Sequence, residues 1–177
     1  KMMLDTFLEP YHFSSLHANT VGPYFVPNLC MFDGYGQNLR EIVVRRSIVK
    51  ARDLPAHERD IMPHSALSYV LFPNTILVIQ IDHVELWRSY PVKDHPGECQ
   101  VTMDFLIPEP ATTPEALERW EKNMDIAVRT VLQEDFPTAE SIQAGVNSGV
   151  QTHVIFGRNE PALAHFQTQI AKSIGRG

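Results

Sequence analysis

Between residues 67 and 107 the chain alternates apolar runs with short turn signals, and this rhythm limits the fold more than any other feature. Leu67 to Phe72 is one apolar run, Pro73-Asn74 turns it, and Thr75 to Ile81 returns. Asp82-His83 turns again, after which Val84, Leu86 and Arg88 alternate with Glu85, Trp87 and Ser89 up to Tyr90. Lys93-Asp94-His95-Pro96-Gly97 is a further turn, and Cys99 to Ile107 is a long alternating strand. Strands joined by turns this short pair as antiparallel neighbours, because a parallel crossover needs roughly a dozen residues or more. The middle of the chain therefore predicts a four-stranded antiparallel meander. Upstream, Ile42 to Ile48 is a plausible further strand. Residues 18–40, rich in Asn, Gly and Pro, predict loop with one or two short strands around Tyr24-Phe25-Val26, and residues 49–64 a short surface helix and loop.

After the meander the period changes. Thr112-Thr113-Pro114-Glu115 opens a helix, with either threonine able to cap it: Thr113 puts Pro114 at the first helical position, and Thr112 puts Glu115 where a capping box needs it. Leu117, Trp120, Met124, Val128 and Val131 then recur at helical steps. The next such step lands on Asp135. Either a carboxylate sits on the buried stripe, or the helix surfaces there, since Glu134-Asp135 closes the periodic run. Residues 138–150 extend the helix past Pro137 to a stop at Gly145 or Gly149. Thr152 to Phe156 predicts a short strand, and Asn159 caps a last helix with Leu163, Phe166 and Ile170 as its apolar face.

The N-terminal stretch carries the chemistry. Asp5-Thr-Phe-Leu-Glu9-Pro-Tyr11-His12-Phe-Ser-Ser-Leu-His17 sets two histidines five residues apart among large apolar side chains. A buried imidazole needs a hydrogen-bond partner or a metal. On an ideal helix these two would stand about 140° apart, so meeting at one ion requires a π-bulge or a non-helical turn, for which Pro10 and Ser14-Ser15 are candidate causes. His12, His17 and Asp135 together make two imidazoles and one carboxylate, a set that with open positions suits non-haem iron(II). The His-Glu-x-x-His pattern of zinc proteases is absent. By spacing alone, both histidines are equally readable as satisfied core or surface residues. His57, His64, His83, His95, His153 and His165 lie mostly in turns or polar stretches and read as non-catalytic.

Composition narrows the function class. The 177 residues suit one domain, 1–177, with a sizeable core, and 44% of them are hydrophobic. Net charge is −6, and the 15 basic residues cluster nowhere beyond Arg45-Arg46, so a nucleic-acid footprint is missing. The longest apolar run, Tyr69 to Ile81, is broken by Pro73-Asn74 and falls short of the roughly 18–20 residues that span a bilayer, so no membrane segment is expected. Cys30 and Cys99 lack metal-ligand spacing and need not be bridged, which makes a reducing cytoplasm the expected compartment.

Asp-x-Phe-Leu-Glu-x-Tyr-His-x-x-x-x-His resembles the iron-binding motif of Rieske-type ring-hydroxylating oxygenases, in the catalytic domain of their large (alpha) subunit. Glu134-Asp135-Phe136-Pro137 with Glu140-Ser-Ile-Gln143-Ala-Gly145 resembles the segment holding that family's aspartate ligand, and Phe72-Pro-Asn-Thr75, Asp82-His83-Val84-Glu85 and Phe156-Gly157-Arg158-Asn159-Glu160-Pro161 also look familial. The resemblance covers nearly the whole chain. It implies an α+β helix-grip fold (START-like, Bet v 1-like): a curved antiparallel sheet around a long helix with an apolar cavity between. It implies His12, His17 and Asp135 as ligands of a mononuclear iron(II), and Glu9 as the acidic residue through which the electron arrives from the Rieske domain of a neighbouring subunit. Tyr11 and Asp5 would stand behind the ligands, and Phe13, Val128 and Val131 are expected on the cavity wall.

The implied reaction inserts oxygen from O2 into an aromatic or other organic substrate, by mono- or dioxygenation, as in aromatic hydrocarbon catabolism. A reductase or ferredoxin would supply the electrons, and a homotrimer is the implied assembly. The family's Rieske [2Fe-2S] cluster uses Cys-x-His and Cys-x-x-His pairs, and neither occurs here. The cluster is therefore expected in an N-terminal domain outside this chain, which would be the C-terminal part of a longer protein. Two competing readings use the same residues: a helix-grip pocket that binds an apolar small molecule without chemistry, and a zinc-dependent hydrolase.

Overall fold

Six strands hydrogen-bond to one another in chain order, every pair antiparallel: β1 (Phe25–Tyr35), β2 (Asn38–Arg45), β3 (Ser65–Leu71), β4 (Thr75–Ile79), β5 (Val84–Val92) and β6 (His95–Leu106). A computed structural model describes residues 1–150 and 153–176. The meander from β3 to β6 falls where alternation predicts it. Two further strands precede it, so residues 18–40 are not mainly loop. Composition hides β1 because Pro27 and Asn28, with φ +55° at Asn28, sit in a shift of register between Phe25 and Cys30. β1 is an edge strand, where a proline costs no ladder bond to a further neighbour. Gly36, at φ +63°, supplies the left-handed residue of the turn into β2. β2 starts earlier than expected, at Asn38, and ends at Arg45, where a 3₁₀ turn, Arg46–Ile48, replaces the end of the predicted strand.

Register decides which side chains share the covered face. One row across the sheet runs Gly34, Leu39, Val70, Ile76, Trp87, Met103. Leu39, Val70, Ile76 and Trp87 from it are buried in the main core with Met3, Leu4, Leu8, Val131, Leu163 and Phe166. Two residues along each strand, the same face carries Phe32, Glu41, Ser68, Val78, Glu85, Phe105. In β5 the covered positions are thus Glu85, Trp87 and Ser89. The sheet puts two carboxylates on its covered side.

The helices lie against this face. α1 (Met2–Asp5) contributes Met3 and Leu4, and α2 (Val49–Arg52) is a short surface turn. α3 (Pro114–Thr130) begins at Thr113, whose Oγ1 accepts the Ala116 N–H at 3.2 Å, so Thr113 is the cap. It runs through a π turn, Val131–Asp135, directly into α4 (Phe136–Asn147), which passes Pro137 and stops short of Gly149 at φ +72°. α5 (Pro161–Ser173) packs on β1 and β2. Glu160, not Asn159, is its N-cap residue. Phe166 of α5 is 1% exposed and meets Phe72 edge-on, with ring centroids 6.1 Å apart; truncating such a ring costs about 3–5 kcal/mol.

The expected stripe of α3 is only partly the buried one. Leu117 and Met124 are half-exposed, and the inward positions are Trp120, Ala127, Thr130 and Val131. Trp120 packs near His83 and Phe105. Residues 153–156 form no strand, and Thr152 of that prediction lies outside the described residues. Both cysteines are free. The architecture, a six-stranded antiparallel sheet gripping a long helix, is the expected α+β helix-grip arrangement.

Candidate metal centre

Neither histidine sits on an α-helix. His12 lies in a 3₁₀ turn, Tyr11–Ser14, that follows Pro10, and His17 lies in the irregular turns after it. The two rings therefore meet, with centroids 4.8 Å apart and planes at 71°. Chain reversal behind His17 depends on Gly22, whose N–H donates to the His17 carbonyl at 2.9 Å. A Cβ at Gly22 would collide with the Phe13 carbonyl and stand 2.7 Å from the His17 carbonyl oxygen.

His12 Nε2 and His17 Nε2 stand 3.1 Å apart, and Asp135 Oδ1 lies 3.6 Å from the first and 3.2 Å from the second. Ligand atoms about 2.1 Å from one ion stand about 3 Å apart on adjoining positions of an octahedron and slightly further on a tetrahedron. The three edges suit one ion of transition-metal size. Asp135 Oδ1 is buried and has no hydrogen-bond partner, a state that costs about 1–3 kcal/mol unless a cation or donor takes it up. This orphaned oxygen beside two converging imidazole nitrogens is the observation that fits a metal.

Each imidazole is held from behind by a carboxylate. Glu9 Oε1 takes the Nδ1 of His12, while Glu9 Oε2 accepts the backbone N–H of Tyr11 at 2.6 Å and of His12 at 3.1 Å. Glu134 Oε2 takes Nδ1 of His17 at 2.5 Å and the Thr20 hydroxyl at 2.7 Å. With Nδ1 donating to a carboxylate, the Nε2 lone pair of each ring points at the shared position, the arrangement that fixes tautomer and raises ligand basicity. Burial works against the charged form of His17, but the Asp135 and Glu134 carboxylates together outweigh it and hold its pKa above the ordinary value.

Glu134 is the residue that sequence reasoning misses. On a regular helix Glu134 and Asp135 point about 100° apart. The π turn Val131–Asp135 reorients them so that one meets Nδ1 of His17 and the other faces its Nε2. The only available signal is adjacency to Asp135.

A cavity of about 110 Å³ opens beside the triad. Phe13 and Val131 line it, Phe13 edge-on to His12 and His17 at 5.0 and 5.5 Å between centroids. Val128 is not on the wall: Ala127 and Thr130 take that place, because the helix is rotated from the expected stripe. Glu9 lines the cavity as well. Tyr11 does not stand behind the ligands; its side chain is 63% exposed, since successive residues of a 3₁₀ turn point about 120° apart. Asp5 does not turn to the site either. Its carboxylate pairs with Lys1, four residues away, and burial, only partly offset by Lys1, raises its pKa.

The comparisons with known proteins agree with this geometry. The model of the ring hydroxylating alpha subunit (catalytic domain) matches residues 1–176. No curated protein matches the chain in sequence. Among solved structures, the quaternary ammonium Rieske monooxygenase CntA in complex with an inhibitor superimposes with a TM-score of 0.70 at 14% identity, over 97% of this chain and 45% of that one. The same protein with its substrate L-carnitine gives 0.67 at 14% identity, over 97% and 44%, and with gamma-butyrobetaine 0.58 at 16% identity, over 97% and 43%. This chain thus spans under half the length of those structures. The family uses a mononuclear non-haem iron, and the cluster of His12, His17 and Asp135 resembles its two-histidine, one-carboxylate site. No helix among the described residues is long and apolar enough to cross a membrane. By its residues 1–176, the chain belongs to the ring-hydroxylating alpha-subunit family, as the catalytic domain.

Proposed function

We propose that this domain holds a mononuclear iron(II) on His12, His17 and Asp135 and uses it to insert oxygen from O2 into a compact organic substrate. The carrying observation is the buried, unpartnered Asp135 Oδ1 facing two imidazole nitrogens whose far sides are both taken by carboxylates. Iron bound there supplies O2 activation, with positions left open by a three-residue ligand set. The chain's own residues do the rest. Glu9 and Glu134 orient the rings by accepting hydrogen bonds from their Nδ1–H groups. Phe13, Val21, Phe25 and Val131 exclude water from the cavity and position the substrate beside the triad.

Glu9 has a second proposed role. It lines the cavity, its side chain is 18% exposed, and it meets His12 directly, so it links the ligand to the surface. That position supports the family's route for an electron from the Rieske [2Fe-2S] domain of a neighbouring subunit, fed by a reductase or ferredoxin, in a homotrimer. Anaerobic iron titration of the wild type and of His12→Ala, with O2 consumption followed in parallel, tests the proposal. Near-stoichiometric iron in the wild type and its loss in the variant are expected. Zinc retained in preference to iron, with no O2 uptake, would contradict it.

A further inference from the structure

The cavity beside the triad has polar as well as apolar lining. Ser68, Gln80, Glu85 and Thr130 line it beside the apolar residues. Glu85 is 6% exposed. Its Oε2 accepts the Trp87 indole N–H at 2.9 Å, and its Oε1 accepts the Gln80 amide at 3.3 Å. Gln80 in turn accepts from the Arg45 guanidinium, which is seated over the Phe25 ring at 4.9 Å. His83 Nε2 lies 3.5 Å from Glu85 Oε1. A carboxylate has about four lone-pair sites, so these donors fix Glu85 in place and leave acceptor capacity. Thr130, also 6% exposed, presents a buried hydroxyl with no hydrogen-bond partner. The acidic residues lining the cavity as a whole are Glu9, Glu85 and Asp135, with no lysine or arginine among the described lining residues.

We propose that Glu85 and Thr130 form the specificity site of this cavity, and that its substrate carries a hydrogen-bond-donating group without negative charge, a hydroxyl or an ammonium, on the end that meets them. The inference rests on the cavity being the substrate site. An entirely apolar ring would leave the Thr130 hydroxyl and the spare Glu85 lone pairs buried and unmet, and a carboxylate at that end would face the like charge of Glu85.

The test uses four probes of one ring size, toluene, benzyl alcohol, benzylammonium and benzoate, titrated calorimetrically into the anaerobic iron-loaded protein and into the metal-free protein, with iron content measured alongside. Benzyl alcohol and benzylammonium are expected to bind about tenfold tighter than toluene or better, and benzoate more weakly than toluene. Glu85→Gln keeps an acceptor for Trp87 and should lower the benzylammonium preference about tenfold while sparing the alcohol more. Thr130→Val preserves volume and should bring benzyl alcohol to within about threefold of toluene. Toluene or benzoate binding best, or an unchanged ranking in both variants, would overturn the proposal. The ranking and the iron content fail independently. A protein that takes no iron yet ranks the probes as expected supports the specificity site and contradicts the oxygenase reading, and iron uptake with toluene preferred does the reverse.

Discussion

The metal site and the covered face of the sheet treat buried carboxylates differently. At the metal site, Glu9 and Glu134 each meet an imidazole Nδ1, and Asp135 Oδ1 faces both Nε2 atoms without a hydrogen-bond partner. On the sheet, Glu85 is tied by Trp87 and Gln80, but Glu41, one strand beyond Ser68 in the same row, is 1% exposed and neither of its oxygens has a partner. Burial pushes the Glu41 carboxyl up to about 7, with the Cys30 thiol working against the rise and the charges of Glu9 and Glu160 adding to it. The difference teaches that burial alone does not make a carboxylate useful. What distinguishes the metal site is that two acids hold the imidazoles from behind while the third faces the other nitrogen of each ring.

Removing the convergent acid should have the largest effect. Asp135→Ala is expected to abolish iron binding while leaving the fold intact, because it deletes an unpaired buried oxygen. Iron content together with circular dichroism measures both, and wild-type occupancy in the variant would remove Asp135 from the ligand set. Next comes the support of His17. Glu134→Gln should weaken metal affinity by about 10–100-fold, the usual cost of losing a partner behind a metal-bound histidine, read by competition with a chelator. His12 is supported by a residue three positions away in its own turn, so Glu9→Gln keeps a local acceptor. It should stay within about tenfold in iron affinity but lose coupled turnover in the full-length protein. Equal affinity losses in the two variants would erase the contrast between local and long-range support, and unchanged turnover would end the electron-route assignment.

Glu41 offers the smallest effect on the metal and a distinct signature in stability. Its folded pKa lies above its ordinary 4.5, so the folded chain holds this proton longer than the unfolded chain. Stability from this group is fully present below about pH 4.5 and falls as pH rises to about 7, a loss of about 3 kcal/mol at the usual cost per pKa unit. Glu41→Gln should therefore match the wild type in urea unfolding at pH 4 and exceed it at pH 8, with iron affinity unchanged. A variant no more stable at pH 8 would show that the carboxylate is compensated.

How much of this was legible beforehand follows from the range of the interactions. The meander from β3 to β6 was readable because alternation and short turns are local signals. β1 was not, because its proline and asparagine sit in a bulge that only pairing with β2 reveals. The residue types alone pick out His12, His17 and Asp135 as an iron-suited set, but spacing leaves them open to duller readings that only the family resemblance outweighs, since the 3₁₀ turn that brings the histidines together has no period. Glu134 was invisible because a 3.6-residue rhythm cannot aim two consecutive residues at one histidine, and a π turn leaves no mark in composition. Glu85 shares a face with Trp87, which is a usable signal, but which face the helices cover is a tertiary fact. Val128 and the half-exposed Leu117 and Met124 show the limit of the apolar stripe.

The most direct test of the metal centre is the metal content of anaerobically purified full-length protein, with an electron paramagnetic resonance spectrum of its reduced state. About one mononuclear iron per chain is the predicted result. Zinc in its place, or no metal, would contradict it.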